Sequence, residues 1–367
     1  MRMSRRGRAV GAALVVAVAV ALSGCSFIGD ITEGQRITTE RLGVADALRV
    51  LTDKLKGLEQ VSSASYAFDA LDVSTTPSLQ VELTTLDTAG WEEVVATIDA
   101  AAAEDALVGS PIAVSITSGS SPGSAAGSVS ASFDTQYGGD WLLGGALDTA
   151  SQALAAFPGA LINLSSASDS AAAVAVGIPD TAEQLLERSA TDASVAQLAE
   201  DARSTGQWLM LSADGLDVSG APPETLVAWA SGVLADGLPR YPNALDFDES
   251  TLSARTMTLS IADTPSPGSV TAMWRSDAAP GEGEEWNSFT AALLAAVPLA
   301  TPGSGCMPFQ LSYSWPGLGQ AANLFTGCGA DVGTASSGNP DREALTTFRA
   351  ALAASGIDLG TLGFTLS

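Results

Sequence analysis

The chain has no histidine in its 367 residues. That removes His-dependent triads, histidine-ligated zinc and the usual general base near neutral pH. Lysine is almost as scarce, with Lys54 and Lys56 alone. Cysteine occurs three times, at Cys25, Cys306 and Cys328. The phosphate-binding G-x-x-x-x-G-K-[ST] loop, the G-x-S-x-G nucleophile elbow and an S-x-x-K followed by K-T-G are missing. Gly144-Gly145 falls in an expected helix rather than after a strand, which makes it a poor phosphate cradle. Continuous Val/Ile runs, the mark of a doubly wound parallel sheet, are missing as well.

Acid is what the chain has in excess. The formal net charge is −25. Four arginines, Arg2, Arg5, Arg6 and Arg8, stand at the N-terminus with no acid among them. Without residues 1–24 the chain keeps 12 basic residues against 41 acidic ones, a formal balance of −29. Such a surface repels nucleic acid and anionic headgroups, so no nucleic-acid partner is expected.

The arginine-rich start is followed by an unbroken apolar run, Ala9–Leu22. A positive segment and a short apolar run have the layout of a secretory signal peptide, and the run is shorter than the roughly 20 residues a spanning helix needs. It ends in Leu22-Ser23-Gly24-Cys25. This resembles the lipobox of bacterial lipoproteins: an aliphatic residue, two small residues, then cysteine. The resemblance covers residues 1–25 and no more. It implies diacylglyceryl transfer to the Cys25 thiol, cleavage between Gly24 and Cys25, and attachment through the lipid to the extracytoplasmic face of the cell membrane. Ser4-Arg5-Arg6 resembles the start of a twin-arginine signal, but Gly7, Arg8 and Ala9 depart from its apolar continuation. Residues 25–36 are then a short tether that keeps the body near the membrane.

Lipidation uses Cys25 and leaves Cys306 and Cys328, an even number in an oxidising compartment. Met307, Phe309, Leu311, Tyr313 and Trp315 alternate with smaller or polar residues, the period of a half-buried strand. Pro316-Gly317-Leu318-Gly319 is a turn signal midway between the cysteines. A hairpin folded there sets Cys306 opposite Cys328 and predicts a cross-strand disulfide. The second arm, QAANLFTGC, reads either as a strand or as a short helix.

Elsewhere the pattern is a helix followed by two alternating strands, repeated. The first helix is expected over Ile37–Leu58, with Leu42, Val44, Ala45, Leu48, Leu51, Leu55 and Leu58 on one face. Strands follow at Ser65–Val73 and Leu79–Leu86. Later helices are expected at Gly90–Ala103, Leu142–Ala156, Thr181–Arg203, Pro223–Gly237, Glu284–Val297 and Arg342–Ala354, with paired strands between them. Asp87 or Thr88, and Asp180, read as helix caps. The fold class is therefore α+β: repeated α-β-β units forming antiparallel sheets with helices packed on one face. Two or three modules are expected, drawn at residues 37–135, 140–220 and 222–367.

No constellation of residues points to a reaction. Asp246-Phe247-Asp248-Glu249 is the densest acidic cluster, but it lacks the spacing and glycine of a calcium loop and reads as a solvated loop. Glu282, Glu284 and Glu285 read as a helix N-terminus. Neither cofactor nor metal is expected. The seven tryptophans are read first as core residues, with glycan-stacking platforms as the alternative. The sequence therefore predicts a lipid-anchored, non-enzymatic binding or structural module of the envelope with a cell-wall or envelope-protein partner. A carrier of a small or lipidic ligand and a carboxylate-based hydrolase of wall polymers are the competing classes.

Overall fold

The computed structural model describes residues 36–104, 106–119, 127–166, 172–235, 255–260, 269–276, 278–300, 307–315, 322–326 and 342–366. Gly24, Cys25, Cys306, Cys328 and the acidic stretch 246–249 lie outside these residues, as does the signal-peptide segment. No helix among the described residues is long and apolar enough to cross a membrane.

The architecture is mixed, broadly α+β, with thirteen described strands ordered in the sheet as they occur in the chain, β1 to β13. The chain divides into two compact units, with the division passing through β3 and β4. The first holds residues up to Ile116 together with Phe133–Gly139, and the second holds Thr117–Ser132 together with the chain from Asp140.

The first unit begins with α1, residues 36–56. Val44, Leu48, Leu51 and Leu55 recur at helical spacing and are buried. Leu42 was expected on that face and is 53% exposed, because two residues before Val44 lies on the opposite side of the helix. Strands β1 (Val61–Ala67) and β2 (Ser78–Leu83) form an antiparallel hairpin. Strand β1 ends six residues before the expected Val73. The Asp69 and Asp72 carboxylates accept the backbone N–H groups of Leu71 and Ser74, local bonds that replace the ladder with turns. Helix α2 (Thr88–Ala102) is capped by Asp87, which accepts from the Gly90 N–H, and buries Trp91, Val94, Val95 and Ile98. Strand β3 (Ala113–Gly119) begins in this unit and β4 (Ser128–Asp134) ends in it.

The second unit alternates hairpins with helices. A π-helical turn, Leu142–Ala146, leads into α3 (Leu147–Ala156). Gly145 sits there at φ 107°, and a Cβ on it would come within 3.0 Å of Gln207 Nε2. The φ and the close approach both call for glycine. The hairpin β5 (Leu161–Ser166) and β6 (Ala172–Gly177) follows, then α4 (Ala182–Thr191) and α5 (Ala193–Ser204). One continuous helix was expected over Thr181–Arg203. Asp192 breaks it by taking an extended conformation and capping α5 through the Ser194 N–H. The cap of α4 is Thr181, in a reciprocal capping box with Gln184, and not Asp180.

Next come β7 (Trp208–Ala213), β8 (Leu216–Ser219), α6 (Glu224–Ala235), β9 (Arg255–Ser260), β10 (Ser269–Arg275) and α7 (Gly283–Ala300). Strands β11 (Phe309–Ser314) and β12 (Ala322–Thr326) pair antiparallel, so the arm left open by sequence is a strand where it is described. Helices α8 (Arg342–Ala354) and α9 (Leu359–Leu362) and strand β13 (Phe364–Leu366) end the described chain.

Hairpin partners are antiparallel, but β4/β5, β6/β7, β8/β9 and β10/β11 are parallel. The expectation of antiparallel sheets is corrected on this point. Alternating burial reports that one face is covered and is silent on the direction of the neighbour. At these four junctions the intervening helical segment carries the chain back to the starting edge and sets the next strand parallel, whereas β12 and β13, with α8 and α9 between them, pair antiparallel.

The covered face of the second unit is apolar and grows aromatic toward the C-terminal strands. Trp286 meets Tyr313 edge-on at 5.3 Å and Phe348 at 5.6 Å, and Trp274 meets Phe289 at 5.3 Å. Trp315 stacks on Phe348. Burial pushes the Tyr313 phenol's pKa above its ordinary value; Ser276 opposes this, without the geometry of a hydrogen bond. Trp91, Trp229, Trp274 and Trp286 are core residues, as the default reading of the tryptophans held. Trp208 is not, at 48% exposed.

Candidate binding surface

The side of the second unit's sheet opposite the aromatic core is set by strand alternation. In β6, Ala172, Val174 and Val176 are buried, while Ala173, Ala175 and Gly177 face the other way and are half-buried. The register fixes their neighbours. Ser165, Ala173 and Trp208 form one row across β5, β6 and β7. Asn163, Ala175 and Met210 form the next, and Leu161, Gly177 and Ser212 the third.

Side-chain size varies sharply across these rows. The middle strand presents two methyl groups and a hydrogen; the flanking strands present Leu161 and Asn163 on one side and Trp208 and Met210 on the other. Two strand spacings separate the flanks by roughly 10 Å, and four residue rises give the strip a length of roughly 13 Å. The result is a shallow trough with an exposed indole on one wall, about the size of one or two sugar rings. The same feature leaves room for a close-packed flat partner, because Ala and Gly add little height to the pleat.

The charge of this face is also unlike the rest of the chain. Among its described strand residues in the second unit, Asp217 and Arg275 are the charged ones. Asp217 accepts a hydrogen bond from the Ser212 hydroxyl at 2.6 Å, which ties it to the end of the third row. The row runs on through Thr258, Thr271 and Gln310. Neighbouring hydroxyls are engaged locally: Ser130 donates to the Ile162 carbonyl and Ser312 to Asn323 Oδ1. The face therefore offers hydroxyl and amide groups with little fixed charge, in a chain with 41 acidic residues.

The first unit contains a different feature. A pocket of about 300 Å³ is lined by Arg41, Val44, Phe68, residues 73–77 and residues 109–111. Arg41 organises it. Its guanidinium lies 4.5 Å from the Phe68 ring centre and donates to the carbonyls of Asp69, Ala70, Asp72 and Thr75. Thr75 Oγ1 accepts from the same guanidinium and points its single hydrogen between the Asp69 and Asp72 carbonyls, each 2.9 Å away. One charged side chain thus satisfies most carbonyls of the 69–75 turn. The volume is at the lower limit for small-molecule sites.

The residues singled out by sequence are not brought together. Cys25, Cys306 and Cys328 fall outside the described residues, and Glu284 and Glu285 lie in the first turn of α7. Among the described residues no group of three or more potential metal ligands converges. Trp208 was one of seven equivalent tryptophans in the sequence. Only strand register shows that it stands beside Ala173 and Ala175. The signal that could have found it is the A-A-V-A-V-G run of β6, where the two valines mark the covered face and Ala173, Ala175 and Gly177 alternate with them. Comparison with protein-family models, with curated proteins and with solved structures finds no match.

Proposed function

We propose that the protein is a lipid-anchored, extracytoplasmic envelope protein and a binding module rather than an enzyme. Its binding surface is the trough over β6, and its partner is uncharged and hydroxyl-rich, such as a cell-wall glycan. The observation that carries this reading is Trp208, exposed beside a strip of Ala173, Ala175 and Gly177 on a face almost free of charge. An indole supplies a flat apolar surface to a sugar ring, and adjacent Asn163, Ser165 and Ser212 supply hydrogen bonds. A neutral face on an acidic protein admits a neutral partner without the cost of burying carboxylates.

The anchor in this reading is Cys25, after cleavage at Gly24. The succession of one helical segment and one hairpin is read as a repeated α-β-β unit, and Cys306–Cys328 as a staple across the β11–β12 hairpin. The recurrence of parallel pairs at β4/β5, β6/β7, β8/β9 and β10/β11 supports the repeat, since each joins one hairpin to the next through helices.

Two measurements test it. Cys25→Ala should move the protein from the membrane fraction to the soluble one; unchanged partitioning would refute the anchor. Trp208→Ala should weaken retention on isolated wall polysaccharide about tenfold, the worth of one good aromatic contact. Leu294→Ala, at an exposed position on α7, is the control. Equal retention of both variants removes the trough as the binding surface.

A further inference from the structure

Strongly exposed large apolar side chains are unevenly distributed. Six of the eight among the described residues belong to the first unit: Leu42, Val50, Leu71, Val73, Val108 and Tyr137. Single exposed apolar residues need no explanation, but a cluster does. Leu71 and Val73 are 78% and 76% exposed and lie two residues apart in the β1–β2 loop. Val108, 62% exposed, adjoins Gly109, Ser110 and Pro111, which line the same pocket as Val73.

This loop is held in place. Arg41 binds its carbonyls, Asp69 accepts from the Leu71 N–H, and Asp72 accepts from the Ser74 N–H and hydroxyl. Those bonds fix the backbone on both sides of Leu71 and Val73 and leave their side chains outward. The loop is fixed to the start of α1: Arg41 is five residues, about 7.5 Å of helix axis, from Arg36, where the described chain begins. Only residues 26–35 separate Arg36 from Cys25, and fully extended this stretch spans at most about 40 Å. The same helix carries Arg36, Arg41, Arg49, Lys54 and Lys56, five of the 12 basic residues that follow residue 24, against Glu40, Asp46 and Asp53. It is thus the most basic stretch, by net charge, of the very acidic chain that follows residue 24.

We infer that this end of the first unit rests on the bilayer surface, with Leu71, Val73 and Val108 as its apolar contacts, so that the anchored protein is held in one orientation. The inference depends on the reading of Cys25 as the lipid anchor. The lipid supplies the attachment energy; the three side chains select which end faces the headgroups, where apolar tips are favoured, and the loop's own Asp69 and Asp72 carboxylates are engaged by the Leu71 and Ser74 N–H groups.

The test uses full-length lipidated protein on phosphatidylcholine vesicles, which carry no net charge. Hydrogen–deuterium exchange of segments 68–77 and 106–112 should slow at least threefold relative to the unlipidated Cys25→Ala protein in solution. Exchange in α5 of the second unit should not change. The double variant Leu71→Asp/Val73→Asp should stay on the vesicles, melt like the parent because both positions are exposed, and lose the protection. Vesicle-bound protein with unprotected 68–77 overturns the inference and leaves the anchor intact. Protein that does not bind the vesicles overturns the anchor reading, and the inference falls with it.

Discussion

Two arginines hold comparable junctions in the two units with different partners. Arg188, in the second unit, lies 4.1 Å from the Phe157 ring centre, as Arg41 lies over Phe68. Arg188 bonds the Asp180 carboxylate at 3.0 Å, the Asp192 carboxylate at 3.4 Å and the Ala156 carbonyl at 2.8 Å. It thereby ties together the end of α3, the approach to α4 and the α4–α5 break. Arg41 bonds backbone carbonyls of one loop and the Thr75 hydroxyl. The difference shows what each arginine secures. Arg188 joins the end of α3 to both ends of α4 among packed helices, through two carboxylates and a carbonyl. Arg41, on α1, ties down one surface loop 28–34 residues further along the chain, where the alternative to each bond is water.

The comparison breaks most visibly at Arg188. Arg188→Met keeps much of the stem that covers Phe157 but strands the Ala156 carbonyl and removes both ion pairs. A loss of about 1–3 kcal/mol is expected, read as a lower denaturation midpoint with an unchanged slope. Arg41→Met should cost less than about 1 kcal/mol globally, because the freed carbonyls of an exposed loop regain water. Its signature should be local instead: limited proteolysis should cut within residues 69–76 at least tenfold faster than in the parent. If the two variants melt alike, the distinction between a junction and a loop is wrong.

The smallest effect is a pH dependence. Hydrogen bonds from the Ser194 hydroxyl and N–H, then Arg188, hold the Asp192 carboxyl below its ordinary value of 3.8. A depressed carboxylate pKa stabilises the fold above the ordinary value, and the contribution disappears as pH falls through the lower, folded-state value. Asp192→Asn should therefore flatten the acid limb of the melting curve below about pH 4 and leave it parallel to the parent above pH 6. Asp72 is also depressed, mainly by Ser74, but it serves only the exposed loop. Asp72→Asn should change loop proteolysis and not the acid limb.

Element type was largely legible because burial leaves a period in the sequence. The stripe of Val44, Leu48, Leu51 and Leu55, and the alternation of Met257 and Leu259 with Thr256, Thr258 and Ser260, each report a covered face directly. The misses share a cause. Phe68 continues the alternation of Ala64 and Tyr66 past the true end of β1, but Asp69 and Asp72 supply side-chain acceptors that outcompete a ladder partner. Asp192 does the same inside an otherwise continuous helical pattern. Parallel pairing was illegible because it depends on where the chain returns, not on composition. The trough was illegible for a similar reason: Trp208, Ala175 and Asn163 come from three strands and become neighbours only through register.

The agreement of strand order with chain order bears on how the molecule is made. Each strand neighbours in the sheet the one before it in the chain, joined directly or through one or two helices, so contacts form between successive segments and loop closure stays inexpensive. A chain delivered N-terminus first always finds its next partner already in place. The price is a transient free edge on the last strand completed, open until its successor arrives. Slowing delivery should be harmless at a hairpin turn and hazardous midway through a connecting helix, when one unpaired edge waits longest.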